Sequence, residues 1–434
     1  MLGVMDKTLK WLETLYLTLV VVIFGGIVLH APLSVGFGVL LSDYALIIKS
    51  WKELLMVLLI PVALIVVTRR KLWGVLARDW LFHGIIAFAL IHVVTVIMLY
   101  QGAAPTAAGL AIDLRYTLFF ALVYVLVKAR PEYKKPLLVT AGIGAAVVIL
   151  FGALQLFLPP DILKYIGYSK ETIAPYLTVD QNENFVRINS TLRGPNPLGA
   201  YVIMAMAAMA SILLVHKLWI KKTWRAWVFL FMGVASVAVL YSSHSRSAWL
   251  GAVAALGVVV ATVAWKAWPR KVWIALGVAG LILVGGLVAL RDVPFVSTVI
   301  LHEDPNEGGA VNSNDGHLSS LIEGSEKLIE QPLGAGVGST GSASILTDQT
   351  LIIENQYLFI AHEVGWVGLA LFVMIFGIIM WRLWQRRTDW LALTVFASGV
   401  GLALVGVLLP VWVDDTVSIV WWGLAAMALI KEER

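Results

Sequence analysis

Cysteine is absent and charge is scarce. Without a cysteine in 434 residues, disulfides, thiolate nucleophiles and Cys-ligated zinc or iron–sulfur sites are excluded. Only 14% of the residues are charged, roughly half of what a soluble globular chain carries. Short alternating apolar segments, the mark of a membrane β-barrel, are missing too. What fills the chain instead is apolar: 60% of it, at a mean hydropathy of +0.87, in runs of twenty residues and more. Such a composition excludes general disorder. It reads as an all-α integral membrane protein.

A bilayer core takes about 20 apolar residues per helix. Candidate spans fall near 12–31, 53–68, 80–100, 107–127, 136–158, 198–216, 225–241, 247–265, 272–290, 356–380, 390–411 and 414–430, about twelve in all. The first follows a few charges and no small-residue cleavage site, so it is expected to be retained rather than removed as a signal peptide. The stretch 32–47 is apolar but interrupted by Pro32, Gly36 and Gly38, which suggests a re-entrant or interfacial segment. The expected organisation is nine spans over 1–290 with an outer loop at 159–197, a long extracytoplasmic loop at 291–355, and three spans over 356–434.

The net charge of +5 would suit a nucleic-acid binder, but in a membrane chain the side that carries it matters first. With both termini inside, 22 of the 32 basic residues fall in the terminal segments and even-numbered connections, as in Arg69-Arg70-Lys71 and Arg386-Arg387. Those fix orientation, and no nucleic acid is needed to explain them. The other ten lie outside or within a span, on a side where acidic residues dominate. Among them Arg187 and Arg193 precede span six, Arg246 occupies a very short connection, and Arg115 lies about eight residues from the outer end of span four, about 12 Å deep at a helical rise. An ion held at such depth is a functional candidate. Arginines gathered near the outer interface suit an anionic headgroup, since guanidinium stays charged and grips phosphate oxygens bidentately.

The two long outer loops carry most of the remaining polar residues. HLSSLIEGSEKLIE (317–330) has a helical apolar stripe and reads as an amphipathic helix. The glycines of GAGVGSTG (334–341) lack the Gly-Lys-Ser/Thr of a phosphate loop and read as a tight turn. Glu354 alone would be a helix N-terminal carboxylate, and His362 and Glu363 would be structural polar residues inside span ten. His244 is a weaker candidate, and His83 and His92 read as histidines satisfied by neighbouring helices. No cluster has metal-ligand spacing.

In order and spacing, RINSTLRGPNPLGAY (187–201), SRSAWLG (245–251), helix 317–331 with PLGAGVG (332–338), and ENQYLFIAHEVGWVG (354–368) resemble the O-antigen ligase and polymerase superfamily of bacterial envelope glycosyltransferases. The motifs cover roughly a sixth of the chain. The resemblance implies a GT-C type membrane fold with the long loop between spans nine and ten. It implies a metal-independent, cofactor-free, inverting reaction in which a glycan leaves undecaprenyl diphosphate for an acceptor hydroxyl. The acceptor would be a glycan, lipid or protein; the setting would be the outer face of the bacterial cytoplasmic membrane. Arg187, Arg246, Arg193 and Arg115 would hold the diphosphate, and Glu354 or His317 would take the acceptor's proton. Two positions depart from the ligase pattern: Glu354-Asn355 replaces the usual His-Asn, and His317 stands where arginine is common. A polymerase of the same superfamily is the alternative. From another class, a secondary transporter or flippase would also have twelve spans, but it would be expected to show repeated halves and midplane charges.

Overall fold

The computed structural model describes residues 2–179, 182–218, 223–264, 268–291, 293, 296 and 313–431. It is 76% helical. Apolar stretches in a bilayer have no water to bond, so each must close its backbone hydrogen bonds internally. Helices accordingly stand at each expected span: α1 (Leu2–Gly26), followed by α2 (His30–Leu40), then α3 (Trp51–Arg69), α4 (Trp80–Met98), α5 (Ala103–Ala129) and α6 (Lys134–Gln155). Next come α7 (Pro195–Val215), α8 (Trp224–Ser242), α9 (Arg246–Ala264) and α10 (Arg270–Ala289). After α11 (Ser313–Glu330), the chain ends with α12 (Gln356–Gln385), α13 (Trp390–Leu408) and α14 (Asp415–Ala428). Ten helical stretches among the described residues are long and apolar enough to cross a membrane, the first running from Lys7 to Leu40; α14 is shorter. The chain is an all-α integral membrane protein.

Two local readings change. The Pro- and Gly-containing stretch 32–47 is not a break: α2 continues α1 through a single 3-10 turn, and a short helix, Ala45–Lys49, folds back against it. Loop 159–197 contains regular structure, an antiparallel pair of β1 (Leu177–Val179) and β2 (Asn182–Arg187) with an irregular register after Thr178. The loop helix starts at Ser313, slightly before the expected 317; the segment upstream of it, 297–312, lies outside the described residues.

The centre of the bundle is α14. Every residue of it but Leu424 is buried, and Trp421 and Trp422 are both fully enclosed. A helix apolar on all sides has to sit inside other helices. Here α5, α7 and α13 surround it. Next to it α9 and α13 touch backbone to backbone, since a Cβ on Gly401 would lie 2.4 Å from the Gly251 carbonyl. Small residues at such crossings give close packing where no hydrophobic gradient exists.

Ion pairs at one end tie the helices together. Buried Glu13 receives Arg70 (2.5 Å) and Arg130 (2.7 Å), linking α1, α3 and the end of α5. Asp79, which caps α4, is bidentate with Arg382 of α12 at 2.6 and 2.7 Å. Burial alone would raise the Asp79 carboxyl, but Arg382 outweighs it and holds it below the usual range. Arg386 bonds the Ala428 carbonyl (2.6 Å), as a cation should at a helix C-terminus. All these arginines belong to the set that sequence assigned to one side.

At the other end α12 is broken. Val364 and Gly365 leave the helix, Gly365 at φ +70. Freed backbone groups at that depth need partners, and the glycine-rich strand supplies them. Ala335 N donates to His362 O (2.6 Å), Gly336 N to Glu363 O (3.2 Å), and Trp366 N to Pro332 O (3.0 Å). The Glu363 side chain, fully buried, accepts from Gly338 N (3.0 Å) and Thr340 N (3.4 Å). The glycines thus form the tight turns read from sequence, and Glu363 is structural here.

Candidate active site

Opposite the arginine-rich end, residues from distant parts of the chain meet around the N-terminus of α14. Asp414 and Asp415 open that helix. Asp414 caps it, its Oδ1 accepting from Val417 N at 2.9 Å, while Asp415 faces the other way into an ionic cluster. Asp415 Oδ2 meets His30 Nε2 (3.0 Å), Lys52 Nζ (3.0 Å) and Arg115 Nη1 (3.6 Å). Lys52 also meets Glu53 (3.2 Å), and Arg115 meets Glu53 (3.1 Å) and the Val413 carbonyl (3.1 Å). Trp51 Nε1 donates to His30 Nδ1 at 3.0 Å, which leaves the other ring nitrogen to donate to Asp415. Two carboxylates thus answer two fixed cations.

Arg115 therefore sits in this network rather than beside Arg187 and Arg246. Its depth is tolerated because both terminal nitrogens of its guanidinium meet oxygens, Glu53 and Asp415 at Nη1 and the Val413 carbonyl at Nη2. The network forms one wall of a cavity of about 460 Å³, lined by His30, Ser34, Lys49, Lys52, Thr172, Arg193 and Asp415 with apolar residues of α2. Lys49 and Arg193 are exposed, and neither side chain makes a hydrogen bond or ion pair with the described residues. With the cluster behind them balanced, these two give the cavity its positive excess.

Arg193 also lines a second cavity, of about 370 Å³. This one lies between α7, the 341–353 segment, α13 and the start of α14. Its walls are apolar, among them Ile345, Ile353, Phe359, Val405, Leu409 and Val411; Arg193, Asn196, Ser342 and Asp414 are its polar members. Arg193 stands where the two cavities adjoin. It is placed there by a loop driven into the bundle, in which Ser190 N donates to Gln155 Oε1 (2.7 Å) and Ser190 Oγ to Val148 O (2.6 Å). Gly194 and Pro195 then start α7.

Arg187, at the end of β2, is fixed by the Ser243 carbonyl (3.0 Å) and by Asn196 Oδ1 (2.7 Å), so it is joined through Asn196 to the apolar cavity. Arg246 is the first residue of α9 and half-buried. Between them His244 is buried at φ +47, and burial, with the Arg187 charge, lowers its ring from the ordinary 6.5 to about 4. Glu354 is half-buried immediately before the cap of α12; its N–H donates to Ser320 Oγ (2.7 Å), tying it to α11. Its neighbours Ile352 and Ile353 line the apolar cavity. Asn355 is the cap itself, accepting from Tyr357 N and Leu358 N at 2.9 Å each. His317 falls in α11 one turn before Ser320, and its side chain lies outside those described. His92 and His83 stand apart, His92 next to Asp113 at 3.4 Å inside the bundle.

Sequence reading thus found Arg187, Arg193, Arg246 and Glu354 near one end of the bundle, and missed Asp414 and Asp415. Lys49 and Lys52 are two of the ten basic residues outside the orienting clusters, with nothing in the sequence to single them out, and His30 carries no local signal either. The one signal for the acidic pair was the Asp-Asp at the head of an otherwise apolar span.

Residues 231–373, about a third of the chain, match the family described as O-antigen ligase. That stretch holds Arg246, His317, Glu354 and the glycine-rich strand, and stops short of Arg115, Arg187 and Arg193. No curated protein matches the chain.

Proposed function

We propose that this chain, a member of the O-antigen ligase superfamily and a membrane glycosyltransferase of the ligase or polymerase type, moves a glycan from undecaprenyl diphosphate to an acceptor hydroxyl at the outer face of the cytoplasmic membrane. One observation carries this reading: Lys49 and Arg193 are the unpaired cations of a cavity whose other charges balance, and Arg193 adjoins a second, apolar cavity. A lipid-linked diphosphate brings the negative charge that the first cavity lacks.

In the reaction the acceptor oxygen attacks the anomeric carbon from the face opposite the diphosphate, so configuration inverts. The bond from that carbon to the phosphate oxygen breaks, and the diphosphate leaves with its electron pair. Negative charge grows on the leaving group, and fixed cations aimed at it lower the barrier more than they favour bound donor. Arg193 and Lys49 would do this directly, with Arg187 and Arg246 at the adjoining helix ends. Glu354, on a backbone held by Ser320, would take the acceptor proton, with His317 as the other candidate base. No step calls for a metal. The 341–353 segment over the apolar cavity would exclude water that otherwise hydrolyses the donor.

Purified protein in lipid nanodiscs, given undecaprenyl-diphosphate oligosaccharide and either a lipid A–core acceptor or a second lipid-linked glycan, tests this. The expected outcome is transfer with release of undecaprenyl diphosphate, and the productive acceptor separates ligation from polymerisation. Donor that stays intact, or is only hydrolysed, sinks the reading.

A further inference from the structure

The 341–353 segment borders a third cavity as well, of about 680 Å³. It divides its side chains between the two it touches: Ile345, Ile352 and Ile353 line the apolar cavity, and residues 346–351 line the third. Ser344 clasps the loop between them, its Oγ donating to Leu351 O (2.9 Å) and accepting from Leu351 N (3.1 Å). The remaining walls come from α11, where Glu323, Lys327 and Gln331 recur at four-residue spacing on one face, and from Tyr100 and Gln101 after α4.

The chemistry of these walls differs from that of the other two cavities. Glu323 and Asp348 stand against Lys327, itself 3.8 Å from Glu323, so there is no positive excess to draw a diphosphate. The aliphatic members are Leu346, Leu351 and Ala335, too few to bury an isoprenoid. An extended peptide would need an open strand edge. Here Thr347 N already bonds Ser344 O, and Leu351 O already accepts from Gly341 N at 2.8 Å. What the walls do offer is exposed side chains that give and take hydrogen bonds. Gln349 and Thr350 do both, Asp348 and Glu323 accept, and Lys327 donates. Tyr100, 61% exposed, adds an aromatic ring. Sugars match this set, since their hydroxyls donate and accept at once and the C–H face of the ring stacks on an aromatic surface.

We propose that this cavity is a saccharide subsite, holding phosphate-free sugar units of a glycan chain beyond the unit that reacts. This rests on the glycosyl-transfer reading and deepens it. Glu354 lies three residues after Leu351, and Ser320, which receives the Glu354 N–H, lies one turn before Glu323 on α11. The subsite thus adjoins the candidate base, on the path of either the donor's glycan or the acceptor's.

The absence of cysteine supplies the tool for a test. Thr350→Cys puts a single thiol in the cavity, with Gln349→Cys in its place should the first fail to fold. Lys170→Cys puts one at an exposed position of loop 159–197. With each protein in nanodiscs, the rate of labelling by a charged maleimide is measured with and without a probe. The probe is surface polysaccharide of the cells that make this protein, cut from its lipid by mild acid. It should slow labelling in the cavity at least fivefold and leave Lys170→Cys within twofold. Undecaprenyl diphosphate, which carries no sugar, should leave both rates within twofold. Adding Tyr100→Ala to the cavity cysteine should remove the protection at unchanged melting temperature. A cavity thiol that the polysaccharide does not protect overturns the proposal, as does equal protection of both thiols or protection by the sugar-free lipid. Labelling needs no turnover, so protection without any glycan transfer refutes the transferase reading alone, and transfer without protection refutes the subsite alone. Where turnover is seen, Tyr100→Ala should raise one KM at least fivefold. A rise for the donor assigns the subsite to the donor's glycan, a rise for the acceptor assigns it to the acceptor's, and a rise in neither overturns it.

Discussion

The arginines at this end of the molecule differ in what their removal should do. Arg115 is buried and answers Glu53 and Asp415, so Arg115→Gln leaves these two carboxylates with Lys52 as their one fixed cation. Breaking a buried pair in this way costs about 3–5 kcal/mol, which should appear as a clear fall in thermal midpoint in detergent. Arg193 is exposed and unpaired; Arg193→Gln should leave that midpoint unchanged and cut transfer at least about tenfold, the equivalent of about 1.4 kcal/mol. If both variants melt alike, the division into a structural and a binding arginine fails. His244 gives a pH signature. Its ring, lowered to about 4 by burial and by Arg187, binds its proton less readily folded than unfolded. Between about 6.5 and about 4 the unfolded chain therefore holds more protons, and stability falls as pH drops through that window. Above 6.5 the contribution is complete. Thermal midpoints measured from pH 7.5 to 4.5 should decline, and His244→Gln should flatten part of that slope.

Among the elements, the broken α12 and the strand stitched to it are the most demanding. Gly338 has φ +89, and a Cβ there would lie 2.2 Å from the Pro105 carbonyl at the start of α5. Gly338→Ala should therefore lower the thermal midpoint markedly or prevent folding. Gly377, further along α12 with open space around its Cβ position, should accept alanine without loss. Fluorescence-detected size exclusion after a heat step distinguishes the two outcomes. The helices themselves were legible because a bilayer imposes one rule on every span, and hydropathy reports it. The turn character of the glycines was legible too, since few residues other than glycine adopt positive φ. Their partner was not: nothing local says that residues 332–336 complete the backbone of residues 362–366. The β1–β2 pair escaped because three- and six-residue strands in a polar loop leave no hydrophobic period.

For the whole molecule, the basic clusters predict both termini in the cytoplasm. A C-terminal green fluorescent protein fusion should glow and an alkaline phosphatase fusion should be inactive; the reverse would invert the assignment. Glu13, Arg70, Arg130, Asp79, Arg382 and Arg386 gather at one end, the end that this assignment makes cytoplasmic. The candidate site was legible only in part. Arginines stand out in apolar sequence, so Arg187, Arg193 and Arg246 could be picked individually. The cluster of His30, Lys52, Arg115 and Asp415 draws on four separated segments, as the 389 positions between Thr416 and its partner Ile27 illustrate. No periodicity spans such a distance.

The shortness of α14 bears on how substrates reach the enzyme. Its fourteen residues rise about 21 Å, against a hydrocarbon layer of about 30 Å. With the arginine-rich end at the inner boundary, as proposed, a helix held there at its C-terminus by Arg386 would stop several ångströms beneath the outer boundary, with the Asp414–Asp415 step at that recess. In that orientation a headgroup tethered in the leaflet would need only to tilt downward to reach it, so the length of one helix would favour membrane-borne reactants before any side chain is consulted.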